Sequence, residues 1–292
     1  MLIIMGAFGH VGSEVVKALL RDEQDVIVVT HDPGHAWRWE GTGAQVALAD
    51  VNDPDAMRAV FRQGRRAFLL NPPAAVDGDT DKTERRTVAR ILEALQGSGL
   101  EKVVAESTSG ARPGERLGDL NVLWELEERL RHQPIPAAIN RAGFYMSNWD
   151  AQLDAVRESG ELVSLFPADL RLPMAAPRDL GEIAARRLVS SLADVGVQHV
   201  EGPERYSAND VAAAFAAALQ RDVRVVVTPR EQWEASFRGL GFSQAAAESY
   251  ARMTGATLDG LDLPEVSIKG RVTIDEYVRD LVEATRPSAC AP

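Results

Sequence analysis

Short apolar runs alternate with amphipathic stretches along the first half of the chain. Each run has the length of a buried strand, and each following stretch carries apolar residues at three- and four-residue spacing, as helices do. This alternation predicts a parallel sheet covered by helices on both faces. The predicted strands are Leu2–Met5, Val26–Thr30, Gln45–Ala47, Ala67–Leu70, Val103–Ala105 and Ala137–Asn140. The predicted helices are Val11–Leu20, Pro54–Phe61, Thr83–Leu95 and Asp119–Leu130.

After about residue 142 the alternation becomes looser. A loop with several prolines is followed by predicted helices at Leu180–Leu192 and Ala208–Leu219 and by a predicted strand at Val223–Thr228. Aromatic residues at helical spacing continue toward the end of the chain, which indicates a lobe packed over the sheet.

Together these elements predict an α/β fold, with a Rossmann-type doubly wound parallel sheet and a smaller C-terminal α+β lobe. We assign residues 1–142 to the sheet domain and residues 143–285 to the lobe. Part of segment 176–200 is expected to pack back on the sheet domain. Residues 286–292 form a tail that contains the single cysteine, Cys290.

The composition is that of a globular protein, with 45% hydrophobic and 26% charged residues in 292. A net charge of −11 argues against a nucleic acid or an anionic membrane as partner, because either would require a basic surface. No apolar window is long enough to span a membrane, and one cysteine allows no intramolecular disulfide. We therefore expect a cytoplasmic protein.

Sequence motifs for several kinds of chemistry are missing. The five histidines show neither the spacing of a metal site nor a neighbouring cysteine, so no metal is expected. The chain also lacks a Gly-x-Ser-x-Gly elbow and a Walker-type Gly-Lys-Ser/Thr, which argues against a hydrolase or a kinase. The histidines are His10, His31, His35, His132 and His199.

A glycine-rich turn, Gly6-Ala7-Phe8-Gly9-His10-Val11-Gly12, lies between the first predicted strand and the first predicted helix. In that context its glycines permit a tight turn, a close approach of the backbone to a pyrophosphate, and close packing of helix on strand. The helix N-terminus offers amide groups to phosphates. The pattern predicts a nicotinamide dinucleotide site; a tight turn without a ligand is the alternative.

The residues after the second strand bear on the choice of dinucleotide. No acid ends the strand at Thr30, where NAD sites usually place a carboxylate. His31 and Arg38 could hold the additional phosphate of NADP, although Asp32 opposes it and a surface loop of mixed charge is an equally ordinary explanation. We expect a slight preference for NADP(H) over NAD(H). If His31 holds the phosphate, NADPH should bind more tightly at about pH 6 than at about pH 8.

Six segments spread over nearly the whole chain resemble the NmrA-like family of atypical short-chain dehydrogenases/reductases, including its NADPH-dependent quinone oxidoreductase branch. The first is the glycine turn, and the segment around Arg141 is the most specific. The other segments are Ala49-Asp50-Val51 with Asp53, Phe68-Leu69-Leu70-Asn71-Pro72, Ile139-Asn140-Arg141-Ala142-Gly143-Phe144-Tyr145-Met146-Ser147-Asn148, Asp179-Leu180-Gly181-Glu182-Ile183-Ala184 and Val200-Glu201-Gly202-Pro203-Glu204.

The resemblance implies a cofactor site along the carboxyl edge of the sheet. Adenine, ribose and nicotinamide would lie in that order along the edge, and Ser107 would be the serine kept at the end of the fifth strand. Each assignment has a structural alternative. Asp50 could cap a turn, Asn71 and Pro72 could form a loop after a strand, and Phe144 and Tyr145 could be core aromatics. Ser107 could begin a polar loop, and Arg141 could form a structural salt bridge. The implied contacts are Asp50 and Val51 for adenine, Leu70, Asn71 and Pro72 for ribose, and Arg141, Gly143, Phe144 and Tyr145 near the nicotinamide.

The chain departs from the family's catalytic pattern. It lacks the Tyr-x-x-x-Lys pair of the wider superfamily, and Leu123 and Glu128 stand where the quinone reductases have a histidine and sometimes a lysine. Tyr145, Thr108 and Asn121 are the remaining candidates for orienting an acceptor.

The sequence therefore favours an NAD(P)H-dependent oxidoreductase that passes a hydride to a quinone-like or aromatic carbonyl acceptor without metal or flavin. Residues 1–142 would bind the cofactor and residues 143–285 the small-molecule substrate. The alternative is a non-catalytic redox sensor, in which the dinucleotide alters binding to a protein partner. An isomerase or cyclase is a third possibility, and the chain could form a homodimer.

Overall fold

The computed structural model describes residues 1–261 and 263–285. The tail at 286–292, with Cys290, lies outside the described residues. The strands are β1 (Leu2–Ile4), β2 (Val26–Thr30), β3 (Gln45–Leu48), β4 (Arg66–Leu69), β5 (Lys102–Thr108), β6 (Ala137–Ala142), β7 (Phe144–Tyr145), β8 (Glu161–Ser164), β9 (Leu172–Ala175), β10 (Gly196–Glu201), β11 (Arg205–Tyr206), β12 (Arg224–Val227) and β13 (Ile268–Lys269). The α-helices are α1 (His10–Arg21), α2 (Pro54–Phe61), α3 (Thr80–Leu95), α4 (Asp119–Arg131), α5 (Leu153–Ser159), α6 (Pro177–Val189), α7 (Ala208–Leu219), α8 (Trp233–Gly239), α9 (Gln244–Asp259) and α10 (Ile274–Ala284). Three short 3₁₀ helices span Pro33–Trp39, Met146–Gln152 and Arg230–Gln232.

The eight-stranded parallel sheet has the order β13-β10-β6-β5-β4-β1-β2-β3. The chain winds outward from β1 to β3 and then returns to β4 on the other side of β1, so the strand order reverses between β1 and β4. In such a sheet the carboxyl ends diverge at this point and leave a crevice where ligands bind. The predicted Rossmann-type doubly wound sheet is confirmed.

Two hydrophobic clusters cover the two faces of the sheet. Ile4 packs on the face that carries α1 and α6, whereas its neighbour Ile3 packs on the face that carries α2, α3 and α4. Successive residues of a strand point to opposite faces, so a strand buried on both sides must be apolar throughout. That requirement explains the unbroken apolar runs in the sequence.

Local capping explains where two of the helices begin. The side chain of Asp53 accepts hydrogen bonds from the backbone N–H groups of Asp55 and Ala56, and Pro54 occupies the first turn of α2. This is the helix start predicted from Asp53 and Pro54. At α7, Ser207 and Asp210 cap each other reciprocally, which fixes the beginning of that helix.

The large sheet also takes strands from the segment that the sequence assigns to the lobe. Strand β10 pairs with β6, and β13 pairs with β10. The rest of the lobe contains a small sheet of β7, β9 and β11, a β8–β12 pair and helices around a separate apolar cluster. Within the described residues, no helix is long and apolar enough to cross a membrane.

Helix α6 packs directly on α1 because of a glycine at the contact. A Cβ placed on Gly181 would lie 2.4 Å from the Cβ of Glu14. The start of α6 is also tied to the loop after β13, since the Asp179 carboxylate accepts hydrogen bonds from the N–H groups of Arg271 and Val272, both at 2.9 Å. The segment from Asp179 to Ala184 thus joins the lobe to the sheet.

We expect Gly181→Ala to lower the free energy of unfolding by about 1–3 kcal/mol, because the added methyl group forces the two helices apart. Chemical denaturation monitored by circular dichroism measures this loss. Gly239→Ala is the control: a Cβ at this helix end meets nothing within 4 Å. Equal stability of the Gly181 variant and the control would contradict the close contact.

Candidate functional site

The carboxyl ends of the first six strands bring most of the predicted site residues to one edge of the sheet. These segments are distant in sequence and meet because all six strands are parallel. They are Gly6–Gly12 after β1, His31 after β2, Asp50 and Val51 after β3, Leu70–Pro72 after β4, Thr108 at the end of β5 and Gly143–Tyr145 after β6.

The glycine turn brings the start of α1 against β1. Gly6 has a φ of +66°, a left-handed conformation that favours glycine, and its carbonyl accepts a hydrogen bond of 3.0 Å from the N–H of Gly9. A Cβ on Gly12 would lie only 2.1 Å from the same carbonyl oxygen. No side chain caps α1, and its first turn contains no acidic residue. The first amides of the helix are therefore available to an anion.

The loop after β2 places basic groups beside the glycine turn. The ring of His35 stacks on Phe8 with centroids 5.7 Å apart, and the guanidinium of Arg38 reaches the Phe8 carbonyl at 3.5 Å. Asp32 accepts a hydrogen bond from the Gly34 N–H, and its carboxylate lies 3.6 Å from His35. His31 and Arg38 are both exposed, so their side chains can reach a phosphate at this position.

Two residues farther along the edge carry polar groups of different character. The carboxylate of Asp50 accepts hydrogen bonds from the N–H and side-chain amide of Asn52, and the backbone bond lowers the pKa of Asp50. At the point where the strand order reverses, the amide oxygen of Asn71 is buried and has no hydrogen-bond partner among the described residues. A buried acceptor of this kind fits a donor such as a ribose hydroxyl.

Ser107 and Arg141, both predicted near the cofactor, bind Glu127 of α4. The Ser107 hydroxyl donates to the Glu127 carboxylate at 2.6 Å, and Arg141 donates to both carboxylate oxygens at 2.8 and 2.7 Å. Glu127 is almost completely buried, so its charge needs these partners. This network joins β5 and β6 to α4 beneath the edge and corresponds to the salt-bridge alternative for Arg141.

The position of Asn121 does not fit the predicted role of orienting an acceptor. Its side chain is 1% exposed, its amide nitrogen donates to Asp81 at 3.2 Å, and its oxygen accepts from the N–H of Leu117. Both ends of the amide therefore hold the start of α4 inside the protein. The structural reason is that residue 121 lies on the buried face of the helix's first turn.

Gly143 and Phe144 have close structural contacts in addition to their position at the edge. A Cβ on Gly143 would lie 2.3 Å from the Pro173 carbonyl oxygen, so this glycine permits the approach of β9. The ring of Phe144 packs against Trp149 and Phe166 with centroids 5.9 and 6.0 Å apart. These contacts agree with the core-aromatic alternative for Phe144.

Tyr145 and Thr108 are the acceptor-orienting candidates that remain at the edge. Both side chains are half-buried, and the Thr108 hydroxyl donates to the Ser109 carbonyl at 3.3 Å. Burial raises the pKa of Tyr145 well above its ordinary value, and the charges of Glu106 and Asp119 raise it further. The Tyr145 hydroxyl therefore stays protonated and can donate a hydrogen bond.

The carboxyl groups near Tyr145 were missed in the sequence. Glu106, on β5, is 3% exposed and makes no ion pair among the described residues; its neighbour across the strand pair is Asn140 of β6, whose side-chain amide acts on its pKa against the larger effect of burial. Burial raises the pKa of both Glu106 and Asp119, and it raises the pKa of Glu84 to about 7. A glutamate directly after the apolar run at 103–105 was the signal that could have identified the first of these groups.

The sheet order and the glycine turn define a protein of the Rossmann-fold class. Residues 1–257 match the NmrA-like family, and the chain belongs to that family. Among the part of the chain that the structure describes, no group of histidine, cysteine and acidic residues could hold a metal ion.

Three known proteins with similar sequence or structure span almost the same length as this chain. The NAD(P)H azoreductase of Xenophilus azovorans is 25% identical over 285 residues, which cover 96% of this chain and 97% of the azoreductase. The structure of Citrobacter sp. triphenylmethane reductase has a TM-score of 0.79 at 16% identity and covers 97% and 99% of the two chains. The Escherichia coli NADPH-dependent quinone oxidoreductase QOR2, complexed with NADPH, has a TM-score of 0.74 at 20% identity and covers 89% and 90%.

We expect Glu84→Gln to remove a pH dependence of stability. Glu84 is nearly buried, accepts a hydrogen bond from the Ala74 N–H, and lies near the like charges of Asp119 and Asp81. Because its pKa is about 7 in the folded protein and 4.5 is the ordinary value, the folded state binds more protons between these pH values. The Glu84 contribution therefore destabilises the fold as pH rises from about 4.5 to about 7.

Urea denaturation at several pH values measures this effect. Relative to the wild type, Glu84→Gln should gain about 2–3 kcal/mol of stability over that pH window, while the amide oxygen still accepts from Ala74. Glu93→Gln, at an exposed position on the same helix, is the control. A stability difference that is the same at pH 5 and pH 8, to about 0.5 kcal/mol, would show that Glu84 is not perturbed.

Proposed function

We propose that this chain is an NAD(P)H-dependent oxidoreductase that passes a hydride to a quinone-like or aromatic carbonyl acceptor. The observation that carries the proposal is that Tyr145, which follows β6, packs against the same apolar cluster as Ala7 and Val11 at the uncapped start of α1, beside the carboxyl edge of the large sheet. An anionic dinucleotide whose pyrophosphate binds at the start of α1 can extend along this edge toward Tyr145. The named activities of the azoreductase and of the quinone oxidoreductase agree with this class of reaction.

The residues at the edge fit a dinucleotide in chemical character. The amides of His10–Gly12, at the uncapped start of α1, would hold the pyrophosphate, and Asn71 would accept a hydrogen bond from a ribose hydroxyl. When bound, the reduced cofactor supplies a hydride for the acceptor. The contacts proposed for the other parts of the cofactor are Asp50 and Val51 at adenine, Leu70 and Pro72 at ribose, and Gly143 and Phe144 at nicotinamide.

The choice of NADP(H) over NAD(H) would depend on His31 and Arg38. Both side chains are exposed beside the glycine turn, and the nearest acid on this loop, Asp32, is engaged with Gly34 and His35. A guanidinium binds a phosphate more strongly than a neutral donor does. We therefore propose NADP(H) as the preferred cofactor.

The acceptor would be oriented by neutral hydrogen-bond donors. Tyr145 keeps its proton because its pKa is raised, so its hydroxyl can donate to the heteroatom of an electrophile. Thr108, at the end of β5, offers a second hydroxyl. Holding acceptor and cofactor in contact supplies most of the rate enhancement that a reactive electrophile needs.

The decisive experiment combines binding and turnover. The purified protein is titrated with NADPH, NADH, NADP and NAD, and the oxidation of NADPH is then followed with menadione and with an azo dye. Selective binding of NADPH and acceptor-dependent oxidation are the expected results. Equal affinity for oxidised and reduced forms without turnover would favour the redox-sensor alternative, and no binding of any dinucleotide would overturn the proposal.

We expect Arg38→Ala to weaken NADPH binding about tenfold and to change NADH binding less than about twofold, because only NADPH carries the phosphate that the guanidinium would bind. Fluorescence titration of the reduced nicotinamide measures both constants. Arg65→Ala is the control, since Arg65 is exposed immediately before β4, at the amino end of the sheet. Equal weakening of both cofactors would contradict phosphate recognition at this position.

We expect Tyr145→Phe to lower kcat about tenfold with an unchanged dissociation constant for NADPH, because one hydrogen bond to the acceptor is lost and the ring stays in place. Stopped-flow single turnovers measure the first quantity and fluorescence titration the second. Tyr206→Phe, in the lobe, is the matched control. Undiminished turnover in the Tyr145 variant would remove this residue from the site.

A further inference from the structure

Helix α9 begins against the loop that follows strand β4. The N–H of Ser243, immediately before the helix, donates to the Val76 carbonyl at 2.8 Å, and the Ser243 hydroxyl donates to the Gly78 carbonyl at 2.6 Å. Both acceptors belong to the loop between β4 and α3, which also contains Asn71. The start of α9 is therefore held by the loop whose first residues are proposed to contact the ribose.

The loop after β5 lies along the same helix. The N–H of Gly118 donates to the Ser249 hydroxyl at 3.2 Å, and a Cβ on Gly118 would lie 2.8 Å from the sulfur of Met253. The guanidinium of Arg112 donates to the carbonyl of Ala256. Positions 249, 253 and 256 are three or four residues apart, so they form one face of α9. This face covers the loop that leads from Thr108 to α4.

Arg116 joins both loops to α9 at one point. Its guanidinium donates to the two carboxylate oxygens of Asp79 at 3.2 and 3.5 Å and to the Ala245 carbonyl at 3.1 Å. Asp79 ends the loop after β4, and Ala245 is in the first turn of α9. One side chain thus connects three segments that are distant in sequence.

The backbone of Arg116 has a conformation that is unfavourable for an arginine. Its φ is +52°, in the left-handed region that favours glycine, although Gly114 and Gly118 lie on either side of it. Such strain persists only where the surrounding contacts hold it in place. The three hydrogen bonds of the guanidinium supply those contacts, so position 116 is occupied for its side chain.

The contact between Arg116 and Asp79 is strong enough to form and weak enough to open. Burial alone would raise the pKa of Asp79, but hydrogen bonds from the Lys82 N–H and from Arg116 lower it, so the pair is charged at neutral pH. The two side chains are 32% and 34% exposed. Water and salt screen an ion pair with this exposure, so it adds only a small stabilisation.

Helices α8 and α9 are held to each other by apolar contacts. The rings of Phe237, Phe242 and Tyr250 pack against one another with centroids 5.0–5.6 Å apart. Trp233 and Ala247, both buried, belong to the same cluster. The two helices therefore form one unit, whereas polar contacts at a few positions hold this unit to the loops after β4 and β5.

We propose that α8 and α9, residues 233–259, form a lid over the acceptor end of the site, and that Arg116 is the positioning residue that keeps this lid closed. This inference rests on the proposed oxidoreductase function. The lid lies against the loops that follow Asn71 and Thr108, which are proposed to meet the ribose and the acceptor. The acceptor enters when the Arg116 contacts break, and their return excludes water from the hydride transfer.

Hydrogen exchange at the Ser243 amide measures opening of the lid in the absence of any ligand. Its hydrogen bond to Val76 crosses the boundary between the lid and the sheet domain. Arg116→Gly keeps the left-handed backbone accessible and removes the guanidinium. We expect this variant to raise the exchange rate at Ser243 about fivefold. Exchange at Val104, which is fully buried in the large sheet, should not change.

Asp79→Asn removes the same contact from the other side. The Oδ1 atom of Asp79 accepts from the Lys82 N–H at 3.2 Å, and its Oδ2 atom accepts from Arg116 at 3.2 Å. An asparagine can keep its oxygen at the start of α3 and then presents its amide N–H groups to the guanidinium, which cannot accept them. Exchange at Ser243 should also rise, and the double variant should exchange no faster than Arg116→Gly.

Binding kinetics separate a lid from a merely structural contact. A lid that controls passage changes the association and dissociation rates by the same factor and leaves the dissociation constant unchanged. Stopped-flow tryptophan fluorescence follows the binding of menadione to protein loaded with NADP, which has no hydride to donate. We expect both rates to rise about fivefold in Arg116→Gly, with a dissociation constant within about twofold of the wild-type value.

Arg85→Ala is the matched control. Arg85 binds Asp81 at 3.0 Å and Glu125 at 2.7 Å, and its side chain is 36% exposed, close to the value for Arg116. Its partners lie on α3 and α4, so this ion pair does not cross to the lid. The control should change neither the exchange at Ser243 nor the menadione rates.

The outcomes separate the lid from the proposed function. Unchanged exchange at Ser243 in Arg116→Gly and Asp79→Asn would overturn the role of Arg116. Faster exchange with unchanged menadione rates, or a changed dissociation constant with unchanged rates, would overturn the lid over the acceptor. In each of these cases, acceptor-dependent oxidation of NADPH by the wild type would leave the oxidoreductase function intact. A wild-type protein that binds NADPH but reduces no acceptor would overturn both.

Discussion

The approach of α1 to the turn after β1 is the contact on which the rest of the site depends. At Gly12 the helix lies so close to the Gly6 carbonyl that a side chain does not fit. This contact brings uncapped amides to the place where the strand order reverses, and Gly181 then allows α6 to lie against the same helix. The absence of side chains at two positions thus sets the site's position relative to both the sheet and the lobe.

The buried acidic residues of this protein differ in whether they have cationic partners. Two of them are paired. Arg141 and Ser107 bind Glu127. Burial alone would raise the pKa of Glu201, but hydrogen bonds from Arg205 and Lys269 lower this pKa to about 2. Near Tyr145, Glu106 and Asp119 make no ion pair among the described residues, and burial raises the pKa of both. Paired charges stabilise one arrangement of the chain, whereas an acid that burial surrounds without a cationic partner holds its proton to a higher pH.

The sheet was more predictable than the lobe because its signals are local. All six strands predicted in the first half are present, and the Asp53–Pro54 start of α2 is confirmed. Strands β7, β11 and β13 are two residues long and leave no periodic pattern, so neither the small sheet nor the last edge strand of the large sheet could be predicted. Asn121 was assigned to the acceptor for a similar reason: its polar amide was visible in the sequence, but its contact with Asp81, 40 residues earlier, was not.

The sequence by itself determined the parallel sheet, the glycine turn at its edge and the family, because apolar periodicity, glycine spacing and segment motifs lie within short stretches of chain. The resemblance to the NmrA-like family also made Tyr145 a candidate site residue. Only the tertiary structure decided which polar residues are paired, and it brought Glu106 and Asp119 within electrostatic range of Tyr145. Burial and charge pairing depend on residues far apart in the chain, so no local pattern contains them.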